Sequence, residues 1–380
     1  MRLTLLGGLC AALCTLFTSD ANALFESRKL EASWCNEQAF RQTVVYIDDQ
    51  MMVDGKFDWV TKISSKLAAS LAPGEHVSVV RLSPQSGRSG QVWDGCWPDY
   101  APDELKAKAQ EWSIFSRDPL ASLKEQKDFF RRDLEAAFGV VYSGSKKDAA
   151  AARIDATHPP TKQLIRALAA DEGRFAQSRT TIRAIIYSDM AENSDLGSVF
   201  APLPPDPVDY GRMLGTYLRR GVVYAFGVSE DITGDPNVPE RTRAFWNMAL
   251  PTMSATVGGL GSDLNVTNAR PVAEYSYSLS MTHPQAPAPL DGRMILLVDA
   301  DGALVDSWLG FNGLRGGILN GRFICRSPAR DSECRLEAKT TSMTTTAPEE
   351  IVRMNGRRGG MMDGKIGPKG YAFKATPFAE

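Results

Sequence analysis

The chain has 380 residues, 43% of them hydrophobic and 23% charged, enough to bury a sizeable core and more than one ordinary domain requires, so two domains are expected. Its formal charge of −2 arises from 43 basic and 45 acidic residues, with no long basic stripe, which argues against nucleic acid as a partner.

The first 23 residues have the pattern of a secretory signal. Arg2 supplies a short positive region, Leu3 to Phe17 is apolar, and Ala21-Asn22-Ala23 offers a small-x-small cleavage site. The apolar stretch is shorter than the roughly 20 residues that cross a bilayer, and no other segment is apolar enough to do so. Leu13 precedes Cys14 where a lipoprotein would carry a small residue, so lipidation is set aside. A periplasmic chain beginning near Leu24 is expected. Cleavage removes Cys10 and Cys14 and leaves four cysteines in an oxidising compartment. Cys35 with Cys96 and Cys325 with Cys334 are the expected disulfides, because each pair then lies within one domain. A zinc site is the rival, but there is no Cys-x-x-Cys spacing and only His76, His158 and His283 could assist.

Thr43 to Ile47 is a β-branched and aromatic run ending at Asp48, which predicts a strand buried on both faces. Phe57, Val60, Ile63 or Ser64, Leu67 and Leu71 then recur at helical spacing until Pro73-Gly74, and His76 to Leu82 is a second strand. Pro84 to Asp103, rich in Gly, Pro and Trp, reads as a loop pinned by Cys96. Glu104 to Phe138 is helical by composition, with Ser143 to Asp148 and the alanine run after it an excursion or a weak helix. A helix over Thr161 to Phe175 leads into a strand, Thr181 to Tyr187, that ends at Ser188-Asp189. Tyr210 to Arg220 predicts a helix, Gly221 to Val228 a strand, and Arg241 to Leu250 a helix. This alternation implies an α/β, doubly wound, mainly parallel sheet over residues 24–257. Gly258 to Asp263 reads as a glycine-rich break. Over 264–380 the signals are mostly strands, predicting a smaller all-β domain, with a mobile loop across Gly356 to Gly370.

In an open α/β sheet ligands gather beyond the carboxyl ends of the strands, where Asp48 and Asp189 fall. A strand ending in Asp, an amphipathic helix, and a later strand ending in Ser-Asp resemble the von Willebrand factor A family over roughly residues 40–250. The run Tyr187-Ser188-Asp189-Met190-Ala191-Glu192-Asn193-Ser194, with Cys96-Trp97-Pro98 upstream, is similar to a bacterial A-like branch. The resemblance implies a metal-ion-dependent adhesion site built from Asp-x-Ser-x-Ser, a Thr and a later Asp, holding Mg²⁺ or Mn²⁺. Asp48 and Asp189 match the two aspartates, Thr161 or Thr157 the Thr, and Asp49 is a substitute ligand. Gln50 and Met52 stand at the two serine positions; Gln50 retains a carbonyl oxygen, whereas the Met52 thioether is foreign to a hard cation. A competing reading has Asp48 and Asp189 accept backbone N–H groups at loop and helix starts, with partners bound elsewhere.

Met294 to Ser307 resembles the first motif of haloacid-dehalogenase-type phosphatases, with Asp299 as nucleophile and Asp301 as general acid beside Mg²⁺, the signature of a metal-dependent phosphohydrolase. Ala303 replaces that family's Thr, however, and only about 75 residues follow, so the segment reads as a β-hairpin turning at Asp301-Gly302. No nucleophile elbow or nucleotide glycine loop is present. Trp93 and Trp97, flanking Cys96, are the expected partner-contacting pair. Taken together, these readings describe an exported cell-envelope adhesion or assembly protein that binds a protein partner and catalyses nothing.

Overall fold

The computed structural model describes residues 29–36, 39–85, 89–110, 118–201, 210–215, 218–282, 287–311, 317–329, 331–340 and 349–378. The expected signal, Cys10, Cys14, Trp112 and His283 lie outside them. The chain divides into two compact units, Met1–Glu31 and Ala32–Glu380. In the first, Lys29–Glu31 are described and carry no regular secondary structure; every element below belongs to the second.

The α/β half contains β1 (Arg41–Asp48), α1 (Asp58–Ser70), β2 (His76–Leu82), β3 (Gly90–Cys96), α2 (Pro102–Gln110), α3 (Pro119–Ser145), α4 (Ala149–Ala152) and β4 (Ile154–Asp155). It continues with α5 (Leu164–Ala169), α6 (Glu172–Gln177), β5 (Thr181–Tyr187), β6 (Asn193–Ser194), β7 (Gly197–Ser198), α7 (Tyr210–Leu214), β8 (Gly221–Phe226), β9 (Ile232–Thr233), α8 (Val238–Thr252) and β10 (Thr256–Gly261). Six of these strands form a sheet in the order β10-β8-β5-β1-β2-β3, parallel throughout except for β3. The apolar run Val44–Ile47 explains the place of β1 between β2 and β5, because a central parallel strand is covered on both faces. Val44 and Tyr46 enter the core with Leu164, Ile165 and Trp246. Alternation sends Val45 and Ile47 to the other face, where Trp59 of α1 packs on Phe138 of α3 and stacks on Tyr187.

The second half is a closed eight-stranded barrel of β11 (Ala273–Met281), β12 (Leu290–Val298), β13 (Ser307–Phe311), β14 (Gly317–Cys325), β15 (Glu333–Thr340), β16 (Glu350–Arg357), β17 (Met362–Ile366) and β18 (Tyr371–Pro377). Its interior is filled by Leu279, Met294, Leu296, Phe323, Leu336, Val352, Met354 and Phe373, so it is a packed core. On β15 the inward residues alternate with exposed Glu333, Arg335, Glu337 and Lys339, unlike the apolar band of a lipid-facing strand. Among the described residues no helix is long and apolar enough to cross a membrane. The α/β-then-all-β architecture agrees with the sequence.

Four local expectations are corrected. The loop expected over Pro84 to Asp103 contains β3, an edge strand antiparallel to β2 that is tethered by the Cys35–Cys96 disulfide. The helix expected over Thr161 to Phe175 is broken into α5 and α6, because Asp171 turns inward to accept the Tyr46 hydroxyl at 2.7 Å. Gly258 to Gly261 belongs to the sixth sheet strand instead of a break: a Cβ at Gly258 would lie 2.5 Å from the Tyr224 ring, which needs that space. Gly356 to Gly370 runs from the end of β16 through β17 to the turn before β18 rather than forming one mobile loop, and Gly364 is required because the Phe373 ring lies over its Cα.

Candidate functional site

Asp48 closes β1 and Asp189 lies two residues beyond β5, its hydrogen-bonded neighbour, so both carboxylates emerge on the same rim. Between them sits a residue the motif reading missed. The Lys162 ammonium is 2.6 Å from Asp48 Oδ2 and 2.6 Å from Asp189 Oδ1, and all three side chains are essentially inaccessible to water. Lys162 is carried on the segment before α5, which is fixed by reciprocal backbone bonds of 2.9 Å between Lys162 and Asn193. The Asp189 side is equally constrained: Met190 adopts φ 56°, and its carbonyl accepts the Trp246 indole N–H at 2.7 Å.

Further donors reach Asp48 Oδ1, Asp48 Oδ2 and Asp189 Oδ1. Ser188 Oγ donates to Asp48 Oδ2 at 2.7 Å, Gln50 N–H to Asp48 Oδ1 at 2.9 Å, and Ala191 N–H to Asp189 Oδ1 at 2.8 Å. Charges taken out of water are costly unless paired and hydrogen-bonded, and these are both. Burial alone would lower the Lys162 pKa, but the Asp189 and Asp48 carboxylates outweigh it and hold the ammonium charged above its ordinary range. Burial pushes the Asp48 carboxyl up, opposed by Lys162.

A divalent cation does not fit this arrangement. Mg²⁺ demands a near-octahedral set of oxygens, yet the two aspartates already share an ammonium. Gln50 meets Asp48 through its backbone N–H, Met52 is fully buried, and Thr161 is exposed. Thr157 Oγ1 is held by Asp155, and Asp49 Oδ2 accepts from Arg81 and Ser83. Among the described residues there is no group of three or more His, Cys, Asp or Glu able to hold a metal. The sequence signal for Lys162 is its place beside Thr161, directly ahead of the apolar start of α5.

Glu192 lies next to this cluster and is fully buried. It accepts Ile165 N–H at 3.0 Å and the Ser194 hydroxyl at 2.5 Å, capping the start of α5. Burial, only partly offset by these bonds, pushes its pKa up to about 7. Because the folded-state value exceeds the unfolded one, folding binds a proton between about pH 4.5 and 7. This carboxyl therefore destabilises the fold progressively as pH rises through that window, by about 3 kcal/mol in all. Glu192→Gln, whose amide can still accept from Ile165 and donate to Ser194, should flatten that slope; urea midpoints from pH 5 to 8 check it.

Beside the carboxylates opens a cleft of about 550 Å³, lined by Asp49, Gln50, Arg81, Ser145, Lys147 and Arg153 among others. The other expected contact residues are elsewhere. Trp97 is buried, and the Trp93 and Trp97 rings pack edge-on against Phe130 at 5.2 and 5.1 Å, so the pair anchors α3 to the sheet. Asp299 and Asp301 form a tight turn in the barrel: Asp299 Oδ1 accepts Asp301 N–H at 3.0 Å and Ala303 N–H at 2.8 Å, and Gly302 takes φ 76° against the Phe323 carbonyl. This is the hairpin turn expected from the sequence. Both expected disulfides, Cys35–Cys96 and Cys325–Cys334, are formed, which fits an oxidising, extracytoplasmic compartment.

No protein family matches the chain. No curated protein matches its sequence. Among solved structures the chain is similar to the human COPII-coat protein Sec24c, at 7% identity and a TM-score of 0.27, over 90% of this chain and 44% of that one. It thus spans less than half the length of that neighbour.

Proposed function

We propose that this chain is an exported binding protein of the cell envelope, an adhesion or assembly factor that acts through a von Willebrand factor A-like α/β domain and has no turnover of its own. The observation that carries the reading is the cleft at the carboxyl ends of β1, β2 and β5, the place where sheets of this kind meet their ligands. Asp48 and Asp189 are consumed in a closed ion cluster and hold the rim rigid, as a docking surface requires. The signal-like residues 1–23 and the two disulfides support a periplasmic setting.

The test is affinity capture from the envelope fraction followed by mass spectrometry. The tagged wild-type chain should retain a specific protein, and Ala151→Trp, which plugs the cleft from an exposed position, should lose it. Equal recovery by the two chains would remove the rim from the function, and recovery of nothing specific by the wild type would end the binding reading.

A further inference from the structure

We infer that the rim cleft is a carboxylate-recognition site that takes an acidic peptide segment of the partner; this rests on the binding reading above. The charges lining the cleft are unequally satisfied. Asp49 Oδ2 accepts from Arg81 Nε at 3.1 Å, Arg81 Nη2 at 3.0 Å and Ser83 Oγ at 2.7 Å. Asp189 shares the Lys162 ammonium with Asp48, so that cluster keeps one net negative charge, fewer than the two cations left over. The acids nearby in sequence are engaged too: Asp54 with Lys146 and Tyr142, Asp148 with the Ala151 N–H, and Asp155 with Thr157 and His158.

Lys147 and Arg153 have no such partner among the described residues, and both line the cleft. The Ser145 hydroxyl, buried in its wall, has no hydrogen-bond partner there either. Lysine and arginine side chains can only donate, so the open demand of the cleft is for acceptors with negative charge. The cations are also well placed. Lys147 is fixed by its N–H to the Met52 carbonyl and its carbonyl to the Asp54 N–H, both 2.9 Å, and Arg153 sits between α4 and β4, where Ile154 N–H reaches the Asp231 carbonyl at 3.0 Å. A volume of about 550 Å³ exceeds what one small oxyanion fills and suits a few peptide side chains.

The experiment is a fluorescence-anisotropy titration of the purified full chain with dye-labelled hexaglutamate, at about 20 mM and about 150 mM salt, where screening lengths differ. Saturable binding is expected, weaker at the higher salt, absent for hexalysine, and reduced at least about tenfold by Lys147→Glu/Arg153→Glu. Circular dichroism verifies that this variant is folded, with Lys147→Gln/Arg153→Gln as the milder alternative. Absence of saturation, or equal affinity in the folded variant, overturns the proposal. Competition by inorganic phosphate at equal charge would make the cleft a free-oxyanion site and overturn the peptide assignment. If Ala151→Trp abolishes partner capture while Lys147→Glu/Arg153→Glu preserves it, this inference falls and the binding function stands.

Discussion

Replacing Lys162 with methionine is expected to destabilise the protein by about 3–5 kcal/mol, the cost of leaving buried charge without its partner. Methionine matches the length of the lysine stem but leaves the Asp48 and Asp189 carboxylates facing each other in an interior that admits no water. A total stability of about 5–15 kcal/mol makes that a large fraction of the whole. The pH dependence identifies the cause. Without the ammonium, burial and the facing Asp189 charge raise the Asp48 carboxyl unopposed, so the lost stability should return as pH falls toward about 4 and disappear again as it rises. Urea midpoints at pH 4 and 7.5 should therefore converge on the wild type at the acid end only. Lys162→Ala, which also opens space, should regain part of its midpoint in millimolar Mn²⁺, whereas neither Mn²⁺ nor a chelator should move the wild type. Saturable Mn²⁺ binding to the wild type, lost in Asp48→Ala or Asp189→Ala, would restore a metal-dependent rim.

The second large effect is expected at the opposite rim, where the sheet meets the barrel. Arg41 donates to both Glu75 oxygens at 2.9 and 2.8 Å, to the Ser70 carbonyl at 2.7 Å, and to Asp306 Oδ2 of the barrel at 2.7 Å. Tyr224 completes the link at 2.6 Å from Asp306 Oδ1, and Arg183 joins through Thr43, Ser70 and Glu75. Two guanidiniums thus balance two carboxylates, all fully buried. Despite burial, Arg41 and Arg183 hold the Glu75 and Asp306 carboxyls below their ordinary values, so their contribution is present above about pH 4.5 and lost as pH falls further.

Asp306→Ala should cost about 3–5 kcal/mol by leaving two buried guanidiniums to one carboxylate. It should also cost up to about 1 kcal/mol more for alanine at φ 46°. Asp306→Asn tolerates that backbone and isolates the charge. Hydrogen exchange should then show β1, β5 and β13 losing protection together. A barrel that unfolds without the sheet noticing would argue that the network does not couple them.

Residue pattern alone was enough for the strands whose two faces are both apolar, the helices with apolar spacing and sharp stops, the disulfide pairs and the Asp301-Gly302 turn. In each case the decisive interaction is local or is a pairing that few cysteines permit. Thr181 to Tyr187 and His76 to Leu82 were legible to the residue for that reason. It also placed Asp48 and Asp189 on one rim, since strand ends follow from the alternation of strands and helices. What lies between those carboxylates was decided only in three dimensions. Lys162 stands 114 positions after Asp48 and 27 before Asp189 in the chain, and nothing in a lysine ahead of a short helix distinguishes a buried counter-ion from a solvated side chain. The glycines of β10, β16 and β17 misled for the same reason: a glycine reads as a break until the Tyr224, Met362 or Phe373 side chain that occupies its missing Cβ comes into view. Periodicity reports which face of an element is buried, but the partner of a buried charge is chosen by the tertiary fold, because only folding removes the water that would otherwise solvate it.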